Sequence, residues 1–214
     1  EDVKTIMGQA SDAAAACNVE IIGGHTEVTP AVNKPVIVST AIGRGLRGCS
    51  ASAENIQVGD SIIMTKTAGL EGAGIIAGDF EAELKGVLTG DEIEEAKALL
   101  DNVSVLRDGT VAGSVGTHGM HDVTEGGILG AIWEMCQIAG VGAEIHEDAV
   151  PVNDVTRKIC DHFGINYLRL ISSGSMIIMA RPEKKNEIIK KLEAVGVAAA
   201  EIGVITPPED GLLL

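Results

Sequence analysis

Apolar residues recur along this chain at two spacings, which predict strands and helices in alternation. Short apolar runs bounded by glycine or polar residues are typical of buried strands, whereas apolar residues every three or four positions predict amphipathic helices. Strands are predicted at 19–22, 35–43, 60–66, 142–146, 173–180 and 197–204. Helices are predicted at 2–17, from 75 onward, and at 91–113, 128–139, 153–163 and 183–195. The predicted fold class is therefore α/β, with a mixed sheet allowed.

Polar and glycine-rich residues between 44 and 57 interrupt this alternation and predict a domain boundary. A chain of 214 residues has room for one large domain or for one and a half. We therefore divide it into residues 1–48, part of an N-terminal domain, and residues 49–214, a C-terminal domain. Asp91, and either Asn153 or Asp154, are predicted as helix N-caps in the second of these.

Composition narrows the class of protein. Hydrophobic residues make up 45% of the chain but aromatic residues only 2%, so the core is aliphatic, with the single tryptophan, Trp133, predicted to lie inside it.

The net charge of −15 argues against nucleic acid as a partner, because binding to a phosphate backbone depends on clustered lysine and arginine. No apolar stretch reaches 18 residues, so no membrane span is predicted. Four cysteines without CxxC spacing fit a reducing, cytoplasmic location.

The most informative motif is residues 121–130, HDVTEGGILG, which precedes the predicted helix 128–139. Asp122 and Glu125 lie three positions apart, so both carboxylates can face the same side of a first helical turn. They can bind Mg²⁺ or take part in proton transfer. The alternative is structural, because Asp122 or Thr124 can cap the helix and favour its dipole.

Two further segments carry candidate chemistry. Residues 69–74, GLEGAG, join a strand to a helix, where backbone N–H groups can bind phosphate. The spacing is neither a P-loop nor G-x-G-x-x-G, and tight strand–helix packing explains it equally well. Residues 23–27, GGHTE, place an imidazole, a hydroxyl and a carboxylate on one loop. This loop can hold a ligand, or Mg²⁺ through Glu27, although a lone histidine is more often structural.

Two other groups are assigned simpler roles. His118 and His121 have the spacing of two zinc ligands, but no cysteine lies nearby, and a zinc site is not predicted. The serine-rich segment 172–175 can form a structural turn or contact phosphate, and the structural role is favoured.

Four motifs, at 23–27, 67–72, 122–127 and 173–175, occur in the order found in the aminoimidazole ribonucleotide synthetase-like superfamily, which this chain resembles over nearly its whole length. Within it, the chain most resembles the synthetase-related group of hydrogenase expression/formation proteins. The resemblance implies ATP-dependent phosphorylation of an oxygen, often of an amide or carbonyl, with Mg²⁺. It also implies homodimers in which N-terminal strands, here 35–43, form a shared barrel.

The resemblance implies roles for particular residues. Asp122 and His25 would be catalytic, and Glu27 would contact Mg²⁺. The remaining predicted contacts to substrate or nucleotide are Thr26, Glu27, Gly69, Gly72, Thr124, Gly126 and Gly127. Members of the superfamily carry a glycine- and aspartate-rich ATP segment upstream of the helix where this sequence starts, so the sequence is expected to lack part of the ATP site.

The hydrogenase-maturation members end in a cysteine that receives a carbamoyl group, and the present sequence ends without one, which argues against that reaction. The predicted function of the complete protein is ATP- and Mg²⁺-dependent phosphorylation or dehydration of a small molecule, with ATP or a phosphorylated substrate as ligand. This chain alone is expected to be inactive. The alternative is a non-catalytic binding or scaffold module in a maturation complex.

Overall fold

The computed structural model describes residues 2–44 and 51–214. The chain divides into two compact units, Glu1–Arg44 and Gly45–Leu214. The predicted boundary between residues 48 and 49 falls outside the described residues, as does the part of the polar stretch 44–57 from residue 45 to residue 50. Each unit is considered by itself below.

The first unit contains one regular element, helix α1 (Asp2–Ala16), which confirms the first predicted helix. The strands predicted at 19–22 and 35–43 are wrong for this structure, because neither segment has strand hydrogen bonds among residues 2–44. Strand backbone needs a paired neighbour to satisfy its N–H and C=O groups, and none is present in this unit. The apolar side chains of both segments are exposed, with Val38 at 88%.

The second unit is built on one mixed six-stranded sheet, which confirms the predicted fold class. Its strands are β1 (Ser61–Thr65), β2 (Gly119–Asp122), β3 (Gly142–Ile145), β4 (Met176–Ala180), β5 (Ala199–Thr206) and β6 (Leu212–Leu213). Their order is β2-β4-β1-β5-β3-β6. All neighbours pair antiparallel except β3 and β6, which are parallel.

Seven helices accompany the described part of this sheet: α2 (Leu70–Asp79), α3 (Glu81–Leu84), α4 (Gly90–Ala98), α5 (Leu106–Val115), α6 (Gly127–Ala139), α7 (Asp154–Phe163) and α8 (Pro182–Ala194). The single helix predicted at 91–113 is wrong, because a 3₁₀ turn (Leu99–Asn102) and a short loop separate α4 from α5. Helix α2 also starts five residues before the predicted position, so Gly72 and Gly74 lie inside it rather than in a loop.

The predicted N-cap of α4 is wrong, whereas that of α7 is confirmed in position as Asn153. Thr89 caps α4 in place of Asp91, since its hydroxyl accepts from the Glu92 N–H while the Glu92 carboxylate accepts from the Thr89 N–H. This reciprocal pair satisfies two backbone donors at once. Asn153 occupies the N-cap position of α7 but its side chain makes no capping bond; it donates instead to the Thr67 hydroxyl at 3.2 Å.

Apolar side chains cover both faces of the sheet. Ile62 and Met64 of β1 pack with α6 on one face, whereas Ile63 contacts the layer that contains α5 and α8 on the other. Strand β1 is buried along its whole length, and its three central residues, Ile62, Ile63 and Met64, are consecutively apolar rather than alternating with polar ones.

Trp133 is 51% exposed, so its predicted place in the core is wrong. Helix α6 buries the stripe that contains Ile128, Ile132 and Met135, and Trp133 lies outside that stripe. Among the described residues, no helix has the length and apolar character needed to cross a membrane.

Candidate functional site

Three segments that are remote in sequence meet at one end of the sheet. Strands β1 and β2 both run antiparallel to β4, so their carboxyl ends lie beside the amino end of β4. The Met176 N–H donates to the Thr65 hydroxyl at 3.0 Å, and the Val123 N–H donates to the Ser175 carbonyl at 3.0 Å. We call residues 66–72, 122–127 and 168–175 together the site edge.

Two buried serines tie this edge together. The hydroxyls of Ser172 and Ser175 donate to the Thr67 carbonyl at 3.1 and 2.8 Å, and the two serine oxygens are 3.1 Å apart. Both side chains are fully buried, so their hydrogen bonds are used inside the protein. This geometry agrees with the structural role favoured for the serine-rich segment.

Lys66 is held by a buried carboxylate. Its backbone has a φ of 55°, an uncommon conformation for a residue other than glycine. Its ammonium group contacts both carboxylate oxygens of Asp108, at 2.9 and 3.0 Å, and also the carbonyls of Ser104 and Gly174. Removing it to bind phosphate would leave the buried Asp108 charge unpaired, at a cost of about 3–5 kcal/mol.

The start of α2 is a packed turn. Gly69 is the left-handed N-cap residue, and the N–H groups of Leu70 and Gly72 donate to the Ser172 hydroxyl and the Ile171 carbonyl. A Cβ on Gly72 would lie 2.5 Å from Cδ1 of Leu170. The glycines therefore permit close packing here, and the assignment of Gly69 and Gly72 to nucleotide contacts stays a prediction.

Asp122 ends strand β2 and is 57% exposed. Its Oδ1 lies 3.5 Å from His121 Nδ1, and His121 Nε2 lies 3.1 Å from the Glu134 carboxylate. The predicted capping of α6 by Asp122 or Thr124 is wrong, because Gly126 is the N-cap residue and no side chain caps this helix. The Asp122 carboxylate therefore takes no part in capping helix α6.

The start of α6 contacts the segment that leads into β4. The Leu129 N–H donates to the Leu168 carbonyl at 3.2 Å. A Cβ on Gly127 would lie 2.6 Å from the Leu168 oxygen and 2.7 Å from the Leu170 oxygen. Gly127 thus allows residues 168–170 to lie directly against the helix.

The structure brings six predicted site residues to the site edge: Gly69, Gly72, Asp122, Thr124, Gly126 and Gly127.

His25, Thr26 and Glu27 belong to the first unit, where His25 Nε2 lies 3.9 Å from Glu27 Oε2 and both side chains are largely exposed. Their roles, including Mg²⁺ binding by Glu27, stay predictions. Within the described residues, no group of three or more His, Cys, Asp or Glu side chains is arranged to bind a metal ion.

Sequence reasoning did not single out Arg169. This exposed arginine lies on the site edge beside Gly127, and its side chain has no hydrogen bond or ion pair among the described residues. The sequence feature that could have identified Arg169 is its position as the single cation in the otherwise apolar stretch 168–171.

This fold is that of a known class of domain. Residues 57–212 match the model of the AIR synthase related protein, C-terminal domain, and the chain belongs to this family. The predicted resemblance to the synthetase-like superfamily is thereby confirmed.

The relatives include hydrogenase maturation proteins. The chain is 27% identical to a hydrogenase expression/formation protein of Methanocaldococcus jannaschii, covering all of this chain and 62% of that protein. It is 25% identical to carbamoyl dehydratase HypE of Escherichia coli, covering 96% of this chain and 60% of the relative. A solved structure of HypE in complex with ATP shares the fold, with a TM-score of 0.55 and 21% identity over 75% of this chain and 46% of that one. The chain thus spans about 60% of the length of these two relatives.

Proposed function

We propose that the complete protein uses ATP and Mg²⁺ to phosphorylate or dehydrate a small molecule at a carbonyl or amide oxygen. The observation that carries this proposal is the meeting of three remote segments around Asp122, an exposed carboxylate that caps no helix. The similarity to a carbamoyl dehydratase, and the shared fold with an ATP-bound HypE, support the same reaction class.

Asp122 is the proposed catalytic carboxylate on the site edge. His121 lies beside it, with Nδ1 2.5 Å from the Asp122 main-chain carbonyl oxygen and 3.5 Å from Oδ1 of the carboxylate, and is itself paired with Glu134. The Thr124 hydroxyl and the backbone at Gly126 and Gly127 are the proposed substrate contacts, with Gly69 and Gly72 beside them. Phosphoryl transfer needs positioned groups and charge neutralisation rather than a covalent protein intermediate.

Mg²⁺ prefers oxygen ligands, and the carboxylate of Glu27, the residue proposed to contact the ion, fits that preference. The ion would neutralise negative charge on the phosphate groups. His25, Thr26 and Glu27 of the first unit are proposed to contact nucleotide or substrate. Since all three side chains are exposed, none is required for packing within that unit.

A homodimer in a reducing, cytoplasmic setting is part of this proposal. The exposed, unpaired segment 35–43 has the apolar sequence of a strand and would gain hydrogen bonds and burial by pairing with a second copy. Sedimentation equilibrium should give twice the chain mass of 22.1 kDa, and a concentration-independent mass of one chain would contradict the dimer.

Calorimetric titration with ATP and Mg²⁺ tests the proposed activity. It should be run on this chain and on a form extended at its N-terminus, each as wild type and as Asp122→Ala. We expect the substitution to weaken binding while the unfolding midpoint changes little, since Asp122 is exposed. A loss of stability as large as that of a core truncation would make Asp122 structural. An absence of binding in both wild-type forms would favour the binding-module alternative.

A further inference from the structure

We propose that Arg169 is the residue that binds a phosphate group of the ligand at the site edge. This inference rests on the proposed function and adds a recognition residue to it.

At the two helix starts of the site edge, the first and third N–H groups of each helix are engaged within the protein. At α2, Leu70 and Gly72 donate to Ser172 and Ile171. At α6, the N–H groups of Gly127 and Leu129 donate to the carbonyls of Thr124 and Leu168. Since few N–H groups are left at each helix start, a cationic side chain is the better candidate for binding a phosphate at this edge.

The three segments of the site edge contain two cationic side chains, Lys66 and Arg169. Lys66 is held by the buried carboxylate of Asp108 and by two carbonyls, so its charge is already compensated. Arg169 has no hydrogen bond or ion pair within the described residues, and its side chain is exposed. Because the chain carries a net charge of −15, an anionic ligand gains most from an uncompensated cation.

The backbone that carries Arg169 is fixed on both sides. The Arg169 N–H donates to the Asn166 carbonyl at 3.0 Å, and the Leu168 N–H donates to the Asn166 side chain at 2.8 Å. Leu168 is fully buried, and Leu170 packs on Gly69 and Gly72. A guanidinium group on such a rigid support can donate two parallel hydrogen bonds to a phosphate.

The phosphate can belong to the nucleotide or to a phosphorylated substrate. Titrations of the full chain should therefore use Mg²⁺-ATP in one arm and inorganic phosphate in the other. The variants are Arg169→Gln, Arg169→Lys, and Lys190→Gln as a matched control that removes one exposed positive charge from α8. Circular dichroism and unfolding midpoints confirm that each variant is folded.

We expect Arg169→Gln to weaken binding about tenfold or more, Arg169→Lys to weaken it less, and Lys190→Gln to match wild type. If Arg169→Gln lowers the affinity for ATP, the phosphate that Arg169 binds belongs to the nucleotide. If it lowers only the affinity for inorganic phosphate, that phosphate belongs to a phosphorylated substrate. If wild type binds but Arg169→Gln binds equally well in both arms, the assignment of Arg169 is overturned while the proposed function stands. If wild type, tested both as this chain and as the form extended at its N-terminus, binds neither probe, the proposed function fails, and the assignment fails with it.

Discussion

The ammonium group of Lys66 lies 2.9 and 3.0 Å from the two carboxylate oxygens of Asp108, which joins the end of β1 to the first turn of α5. Asp108 is 1% exposed, so its charge depends on this partner. The pair also reaches the turn before β4 through the Gly174 carbonyl. One side chain thus connects two of the three segments of the site edge to α5.

Replacing Asp108 with Asn should destabilise the protein by about 3–5 kcal/mol, because it leaves the Lys66 charge largely buried without its counterion. Urea unfolding monitored by circular dichroism measures this change. The double variant Lys66→Met/Asp108→Leu removes both charges and should regain most of the loss. Equal stability of Asp108→Asn and wild type would show that the pair contributes nothing.

The glycines that contact residues 168–170 should tolerate a methyl group unequally. Gly72→Ala should cost about 1–3 kcal/mol, because its Cβ meets the movable Leu170 side chain. Gly127→Ala should cost more, because its Cβ meets backbone oxygens and its φ is 61°.

Gly78→Ala serves as the matched control for these two variants. Gly78 lies in α2, and no other atom lies within 4 Å of the place its added methyl group would take, so the substitution should stabilise the protein by about 0.5–1 kcal/mol. Thermal unfolding ranks the three variants. A Gly127→Ala protein as stable as wild type would contradict the close approach of residues 168–170 to α6.

Acid should weaken the attachment of α4 to α7. The hydrogen bond from Lys158, followed by those from Thr89, lowers the pKa of Glu92 to about 2. Because the folded-state pKa lies below that of the unfolded chain, Glu92 stabilises the fold above the ordinary glutamate value and loses this contribution as the pH falls toward 2.

Unfolding midpoints measured from pH 6 down to about pH 2 should therefore fall less steeply for Glu92→Gln than for wild type. Glu193→Gln, which removes an exposed carboxylate on α8, is the control and should follow the wild-type curve. Parallel curves for Glu92→Gln and wild type would contradict a native-state role for this carboxylate.

The buried thiols should resist alkylation in the folded protein. Burial raises the pKa of Cys136 to about 11, and burial followed by the charge of Asp161 raises that of Cys160 to about 11. Since the thiolate is the reactive form, iodoacetamide at mildly alkaline pH should label the exposed Cys17 before Cys136 and Cys160. Peptide mass spectrometry resolves each position, and labelling of Cys136 at the rate of Cys17 would contradict the burial.

The sequence predicts the secondary structure of the second unit more closely than that of the first. The apolar run of β1 and the amphipathic pattern of α8 predict their elements because both are fixed by burial within one unit. The segment 35–43 has strand composition but no partner among residues 2–44, and composition alone does not supply one. The predicted helix 91–113 is too long because the break at 99–105 depends on packing that the periodicity does not show.

The candidate site is predictable in its motifs but not in its contacts. The sequence order indicates that Asp122 and the glycine turns belong together, and the strand pairing of β1, β2 and β4 explains why. It gives no sign that Lys66 is held by Asp108, 42 residues away, or that Arg169 lies beside Gly127. Both depend on tertiary contacts between remote segments.

The bond between the Ser175 hydroxyl and the Thr67 carbonyl joins residues 108 positions apart, and this separation bears on how the protein acquires its site. Closing so long a loop costs chain entropy before any contact is gained, which slows the pairing of remote strands relative to the formation of local helices. On the ribosome, the site edge can assemble only after β4 has been synthesised. A nascent chain that stops before β4 lacks the strand beside which the carboxyl ends of β1 and β2 lie, and so cannot form the site edge.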